Sequence, residues 1–450
     1  MADKVLKENN MVEDDLTIAR LSAKDPSFEN QLNAHLRREM LTNDSIVKQV
    51  SKILDDVRLK RDEAVIDYTN KFDNFLVNSM EELTVSSEQL KESLERLPSK
   101  QRQALEHAAE RIQKYHEQQV SSSWQYEEKD GSVYGQKVTP LERVGVYVPG
   151  GKANYPSSVL MLAIPARVAG VKEIIAVVPT RYSPKNDLIF AAAKLAGVSK
   201  VYTIGGAQAI GALAYGTKTL PRVDKIAGPG NIYVNAAKRI VFGEVGIDMV
   251  AGPSELTIIC DGTTAPEWIA ADLFSQAEHD EFAQSILIST NAQFFDEVEK
   301  AIRHLLPKME RREIILASLK NRGVFIYAEN IDQAAEVSNL IAPEHLEISS
   351  ESPEFVLPKI KNAGAIFMGK YSAEALGDYC AGPSHVLPTS GTSRFFSALG
   401  VYDFQKRSSI ISCSPSGASK LARTAAELAR NESLQAHALS AEYRFDETGD

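Results

Sequence analysis

The sequence predicts an α/β protein: two doubly wound, Rossmann-like domains with an incomplete dinucleotide fingerprint, plus small helical N- and C-terminal dimerisation segments. Three observations predict it. From Arg143 onward, short β-branched runs alternate with helix-like segments, the pattern of a parallel sheet covered on both faces. Three glycine loops follow predicted strands, as turns at the carboxyl edge of such a sheet do. After about Gly400 the texture turns helical, with no further strand expected.

The elements follow in order. Residues 1–40 are polar and charged, and read as an extension that packs on something else. Over 43–72 the apolar positions Ile46, Val47, Val50, Ile53, Leu54 and Val57 recur at helical spacing, which predicts one helix. Helices are also expected over 87–97 and 99–120. His107 and His116, in the latter, are expected on its solvated surface. Strands are predicted at 143–147, 173–179, 200–204, 223–227 and 256–260, with helices over 187–196, 207–215 and 232–241 between them. A second set has strands at 285–289, 324–327 and 365–368 and helices over 266–276 and 332–341. No strong linker separates the sets, so one domain is inserted in the other. The expected partition is an extension (1–40), a discontinuous α/β domain (41–142 with 256–399), a second α/β domain (143–255), and a C-terminal helical segment (400–450). Helices over 414–429 and 432–444, without a strand to cover them, suit an oligomer contact.

Composition narrows the function. The chain of 450 residues is long enough for more than one core. A net charge of −10 argues against nucleic-acid binding. The three cysteines, Cys260, Cys380 and Cys413, are scattered with no CxxC, which fits a reducing cytoplasm rather than a disulfide framework. No signal core opens the sequence, and no apolar run approaches the roughly 20 residues of a membrane span.

GxGxxG is absent. In its place stand Tyr147-Val-Pro-Gly-Gly, Gly205-Gly-Ala-Gln208 and Gly228-Pro-Gly-Asn231. Each makes a tight turn after a strand; three in one domain point to a cleft for a cofactor or phosphate group.

Four of the eight histidines fall late, each beside a carboxylate or amide: Gln276 and His279, Glu344 and His345, Asp378 and His385, Glu432 and His437. Gln276 and His279 share one helix face at i, i+3. Asp378 and His385 flank a Cys-Ala-Gly-Pro-Ser turn that brings both to one pocket. Nitrogen and oxygen ligands without thiolate suit zinc or manganese. Glu344 and His345 offer two proton acceptors of different basicity; a polar helix terminus satisfies the same pattern.

In this order, RVGVYVPGG (143–151), GGAQAI (205–210), GPGNIYV (228–234), AGPSE (251–255), QAEHD (276–280), APEHL (342–346), GDYCAGPSHVLPT (377–389) and AHAL (436–439) identify the chain as resembling the histidinol dehydrogenase family, from about residue 25 to His437. The resemblance implies an NAD-dependent, four-electron oxidation of L-histidinol to L-histidine through a bound aldehyde, a step of histidine biosynthesis. It implies one zinc ion per site, held by Gln276, His279, Asp378 and His437, the last supplied by the other subunit of a homodimer. Glu344 and His345 take the acid/base roles. Tyr147, Gln208 and Asn231 match NAD contacts. Ser254, His385 and Glu432 match substrate contacts, joined by the zinc ligands and His345. Serines at 390 and 393, and Ser384 before His385, depart from the family's usual Gly, Ala and Asn. A related zinc- and NAD-dependent dehydrogenase of another small alcohol, such as a sulfonated diol, is the alternative; retained Glu432 and His385 weigh against an anionic substrate, which would want Arg or Lys.

Overall fold

A computed structural model describes residues 16–36, 44–73, 76–150 and 155–445. The expected extension over 1–15, Gly151 of the first glycine motif, and the last five positions lie outside the described residues.

Two six-stranded sheets carry the fold. The first runs Ala19–Ser22, Val324–Tyr327, Gln284–Ser289, Glu255–Cys260, His345–Ser349, Ala365–Met368, all parallel. The second runs Thr84–Val85, Lys200–Tyr202, Glu173–Val177, Arg143–Tyr147, Lys225–Ala227, Gly246–Ile247, parallel except at its first strand. Leaving out the edge strand from the chain's N-terminal part, both sheets run third, second, first, fourth, fifth in chain order. That is the order of a doubly wound sheet, with a switch point beside the first strand.

Both faces of each sheet are buried, which is why the strands read as nearly continuous apolar runs. In the second sheet Val144, Val146, Ile174 and Ala176 pack one way, against Pro156–Val168 and Asp187–Ala196. Tyr147, Ile175, Val177 and Ile226 pack the other way, against Gly206–Tyr215 and Ile232–Val241. In the first sheet Leu256, Ile258 and Leu287 meet Pro266–Ala277 and Ala292–Leu305, while Ile259, Ile286 and Leu346 meet Ile331–Ile341. The period of two along each strand sorts these sets.

Several expectations are corrected. The segment before Arg143 was expected to join the first sheet. Instead Val50, Ile53, Leu54 and Val57 pack on the second, and Thr84–Val85 pairs with Lys200–Tyr202. Apolar periodicity shows that a helix has a buried face but not which sheet covers it. The first sheet is completed by earlier residues: Ala19–Ser22 adds to its edge, and Phe28 and Leu32 cover one face. The helix expected over 43–72 is two, Asp44–Lys60 and Asp62–Phe72, broken where Arg61 takes φ 58°. His107 is exposed as expected, but His116 is fully buried, its Nδ1 2.8 Å from the Ile112 carbonyl oxygen. A strand does follow Gly400: Gln405–Ser412 pairs antiparallel with Val133–Pro140, which pairs with Trp124–Glu127. This small third sheet leads into Pro415–Asn431 and Gln435–Glu442, which share only a few buried alanines with each other. No helix among the described residues is long and apolar enough to cross a membrane.

Arg96 ties Ser87–Arg96 to Asp187–Ala196 in a two-pronged pair, Nε to Asp187 Oδ2 at 2.9 Å and Nη2 to Oδ1 at 2.8 Å. Hydrogen bonding from Arg96 holds the Asp187 carboxyl below its usual range. Its stabilising contribution is therefore full above the unfolded carboxyl pKa of about 3.9 and is lost as pH falls through the depressed folded value. Arg96→Ala is expected to lower stability at pH 7, measured by chemical or thermal unfolding, with the cost shrinking on acidification. A cost independent of pH would contradict the ionic origin.

Candidate active site and metal centre

Glu344 and His345 are fixed by two neighbouring parallel strands. Helix Ile331–Ile341 ends on Ala342 in the left-handed region, φ 52°. Pro343 follows and cannot continue the helix. The chain swings through Glu344 directly into the strand His345–Ser349. His345 thus opens a central strand rather than standing at a helix end. Leu256 lies beside it in register. The peptide groups of Glu255 then hold both side chains. The Glu255 N–H donates to Glu344 Oε2 at 2.8 Å, and His345 Nδ1 lies 3.1 Å from the Glu255 carbonyl oxygen. A carbonyl only accepts, so Nδ1 carries hydrogen and Nε2 is left as the basic nitrogen.

His345 Nε2 is buried without a hydrogen-bond partner. It faces Asp378 Oδ1 at 3.5 Å, while Nδ1 lies 3.7 Å from both Glu344 Oε2 and Glu374 Oε1. Burial opposes charging of this imidazole; Glu374, Glu344 and Asp378 together outweigh it and raise its pKa to about 10. The same crowding acts on the acids. Burial pushes the Glu374 carboxyl up to about 8, with Asp378 and Glu344 adding to the rise. Burial works to raise Asp378 too, but the His345, His385 and His279 imidazoles hold it below the usual carboxylate range.

Gln276 sits in the last turn of Pro266–Ala277, wholly buried, and His279 follows just past the helix end. Gln276 Nε2 lies 3.2 Å from His279 Nδ1, and Gln276 Oε1 has no partner. His385 Nδ1 is 2.9 Å from the Asp378 carbonyl oxygen, and its Nε2 is 3.3 Å from Ser158 Oγ, on a helix of the second sheet. Burial lowers the pKa of both His279 and His385, favouring the neutral imidazole that binds metals.

The chain therefore brings together Gln276, His279, Glu344, His345, Asp378 and His385. Ser254 adjoins them, its carbonyl accepting from the Gln284 N–H at 2.9 Å. Glu432 and His437 are not among them. Both are exposed, at the junction and on the second helix of the C-terminal pair. Glu374 went unnoticed in the sequence. One ligand-capable atom each from His345, Glu374 and Asp378 lies within 4.8 Å of the others. Its signal was the i, i+4 spacing of Glu374 and Asp378, which puts both on one face of Glu374–Tyr379.

The glycine loops lie at the carboxyl edge of the second sheet. Tyr147 closes its central strand, and its hydroxyl accepts from the Gly206 N–H at 3.2 Å, at the start of Gly206–Tyr215. Gln208 is buried in that helix with Nε2 unpartnered. Asn231 caps Ile232–Val241, its Oδ1 accepting from the Tyr233 and Val234 N–H groups. The acid/base pair, by contrast, lies at the amino edge of the first sheet. The carboxyl edge of one sheet is thus turned toward the amino edge of the other.

The sequence profile of histidinol dehydrogenase matches residues 36–445. The chain is 61% identical to the histidinol dehydrogenase of Pseudomonas aeruginosa, over 95% of this chain and 97% of that protein. It is 59% identical to that of Cupriavidus pinatubonensis, over 96% and 98%. The crystal structure of histidinol dehydrogenase from Elizabethkingia anophelis superposes with a TM-score of 0.89 at 34% identity, covering 95% of this chain and 98% of that one. This chain belongs to the histidinol dehydrogenase family.

Proposed function

We propose that this chain oxidises L-histidinol to L-histidine through bound L-histidinal, reducing two NAD, at a zinc site completed by a second copy of the chain. One observation carries the reading beyond family membership. Gln276 Oε1, His345 Nε2 and Asp378 Oδ1 are all buried without a hydrogen-bond partner, where buried polar atoms ordinarily have one; the last two only face each other at 3.5 Å. A site built for a cation and a polar substrate explains this clustering.

The donor set fits zinc. Gln276, His279 and Asp378 of one copy would hold the ion, with His437 from the other. That histidine is exposed on its own chain, and its helix pair buries little on its own. His345 and Glu374 also converge with Asp378, but His345 Nδ1 is engaged with Glu255 and its Nε2 is needed as a base. Bound zinc would anchor and orient the substrate's nitrogens, and its charge would oppose protonation of His345. Bound NAD would accept hydride. Tyr147, Gln208 and the Asn231 loop are the residues we assign to holding it.

His345 Nε2 takes the hydroxyl proton of histidinol as hydride leaves the carbinol carbon. Glu344 then takes a proton from water as it adds to the aldehyde, and His345 returns its proton to the aldehyde oxygen, which completes the hydrate and leaves Nε2 free again. His345 receives the hydroxyl proton of the resulting hydrate as the second hydride leaves. Ser254, His385 and Glu432 are assigned to holding the substrate, with Glu432 reaching the site from the second copy alongside His437. Holding the aldehyde between the two steps removes a second encounter from the path. The scattered thiols support a cytoplasmic setting.

The direct test is NADH formation from L-histidinol. We expect two NADH per histidinol, lost on chelation and restored by zinc; no NADH from folded, zinc-loaded protein would refute the substrate. A shared site makes a second prediction. His345→Asn and His437→Ala should each lose about 10²-fold or more in kcat, and mixed dimers of the two should regain part of the activity. No recovery despite demonstrated subunit exchange would contradict a composite site.

A further inference from the structure

The helix Ile232–Val241 carries a polar line where the core would favour apolar residues. Asn231, Asn235 and Lys238 stand at i, i+4 and i+7, on one face. The Lys238 and Asp248 side chains are each 1% exposed. Lys238 Nζ donates to Asp248 Oδ1 and, at 2.9 Å, to the Gly228 carbonyl oxygen. Asp248 Oδ2 accepts from the Gly228 N–H at 2.7 Å. One buried ion pair therefore grips both polar groups of a single residue. That residue has φ +127°, and a Cβ on it would meet the Tyr147 carbonyl oxygen at 2.1 Å. Gly228 is thus pinned against the end of the strand that carries Tyr147.

Asn235 extends the grip. Its Nδ2 donates to the Gly230 carbonyl at 3.1 Å and to the Ala251 carbonyl at 2.7 Å. The first belongs to the glycine loop of the second sheet. The second opens the Ala-Gly-Pro-Ser254 segment that enters the first sheet at Glu255. A single buried amide joins the two.

A buried ion pair adds little stability over well-packed apolar groups, because desolvation offsets attraction. Two parallel loops held at a fixed spacing are another matter, since small misplacements of reacting groups cost large factors in rate. We propose that Lys238, Asp248 and Asn235 are positioning residues that lock the Gly228–Asn231 loop to Tyr147 and to the Ala251–Ser254 segment, keeping bound NAD and bound substrate in one alignment through both oxidations. The inference rests on the reading that this glycine loop holds NAD.

The test uses the full-length, zinc-loaded enzyme and the variants Asn235→Ala, Asn235→Asp and Asp248→Asn. Asn235→Asp keeps the shape and removes the donor. The readouts are KM for NAD, kcat, the Kd of L-histidinol without NAD, and free histidinal trapped by semicarbazide during turnover. Each variant is expected to raise KM for NAD about tenfold or more and to release trappable aldehyde, while the Kd of histidinol without NAD stays within about threefold. Should Asp248→Asn fold poorly, the Asn235 pair decides. Variants with a lowered unfolding temperature but unchanged KM for NAD and no released aldehyde would reduce the three residues to a structural role and overturn the proposal. A wild-type enzyme without saturable dependence on NAD would instead overturn the cofactor reading beneath it.

Discussion

Everything at this site depends on one backbone unit. The Glu255 residue gives its N–H to Glu344 and its carbonyl to His345, and it does so because two parallel strands run in register at that point. Backbone groups inside a sheet do not rotate away. Glu344 and His345 are therefore held by the sheet itself, and the identity of the basic nitrogen follows from hydrogen bonding without any further residue. A one-residue slip of the His345–Ser349 strand would turn the His345 side chain to the other face.

Around this fixed pair the chain gathers more carboxyl groups than it has cations to pair with them. Glu374, Asp378 and Glu344 surround one imidazole, and Gln276 Oε1 stands nearby without a partner. Burial of so many acids is costly unless a cation or a substrate ammonium joins them. The proposed metal centre would meet that demand. The two sheets share a strand order yet use opposite edges. In the second sheet the ligand loops lie at the carboxyl edge, as in other open α/β sheets. In the first, the loops entering the strands carry the proposed acid/base pair. His385 and Ser158, Asn235 and Ala251 bridge the gap.

Much of this was legible in the sequence. Strands with both faces buried read as apolar runs, so the interior strands of both sheets are found to within a few residues, except His345–Ser349, whose residues His345, Glu347 and Ser349 are polar though buried. The edges are not. Thr84–Val85 and Ala19–Ser22 are too short for a period to show. Gln405–Ser412 is a strand of exposed and half-buried residues with no apolar alternation. Which sheet covers Val50 or Val57 is a question of long-range packing, to which helical spacing is blind. The same division holds at the site. The side chains proposed to do chemistry stand in the sequence as His beside Glu, Asp or Gln. Glu374 stood apart from any histidine in sequence. Glu255 acts through its backbone, which leaves no mark on residue type. Nothing in the sequence sets Lys238 apart from an ordinary charge near a helix end.

The central claim is that the imidazole of His345 is left free as a base while the metal sits on other residues, one of them from a second copy. The most direct measurement is a zinc-edge anomalous difference map from crystals of the zinc-loaded protein. The account predicts a single strong peak per site, among Gln276, His279 and Asp378 of one copy and His437 of the other. A peak held instead by His345, Glu374 and Asp378, with His437 distant, would contradict it.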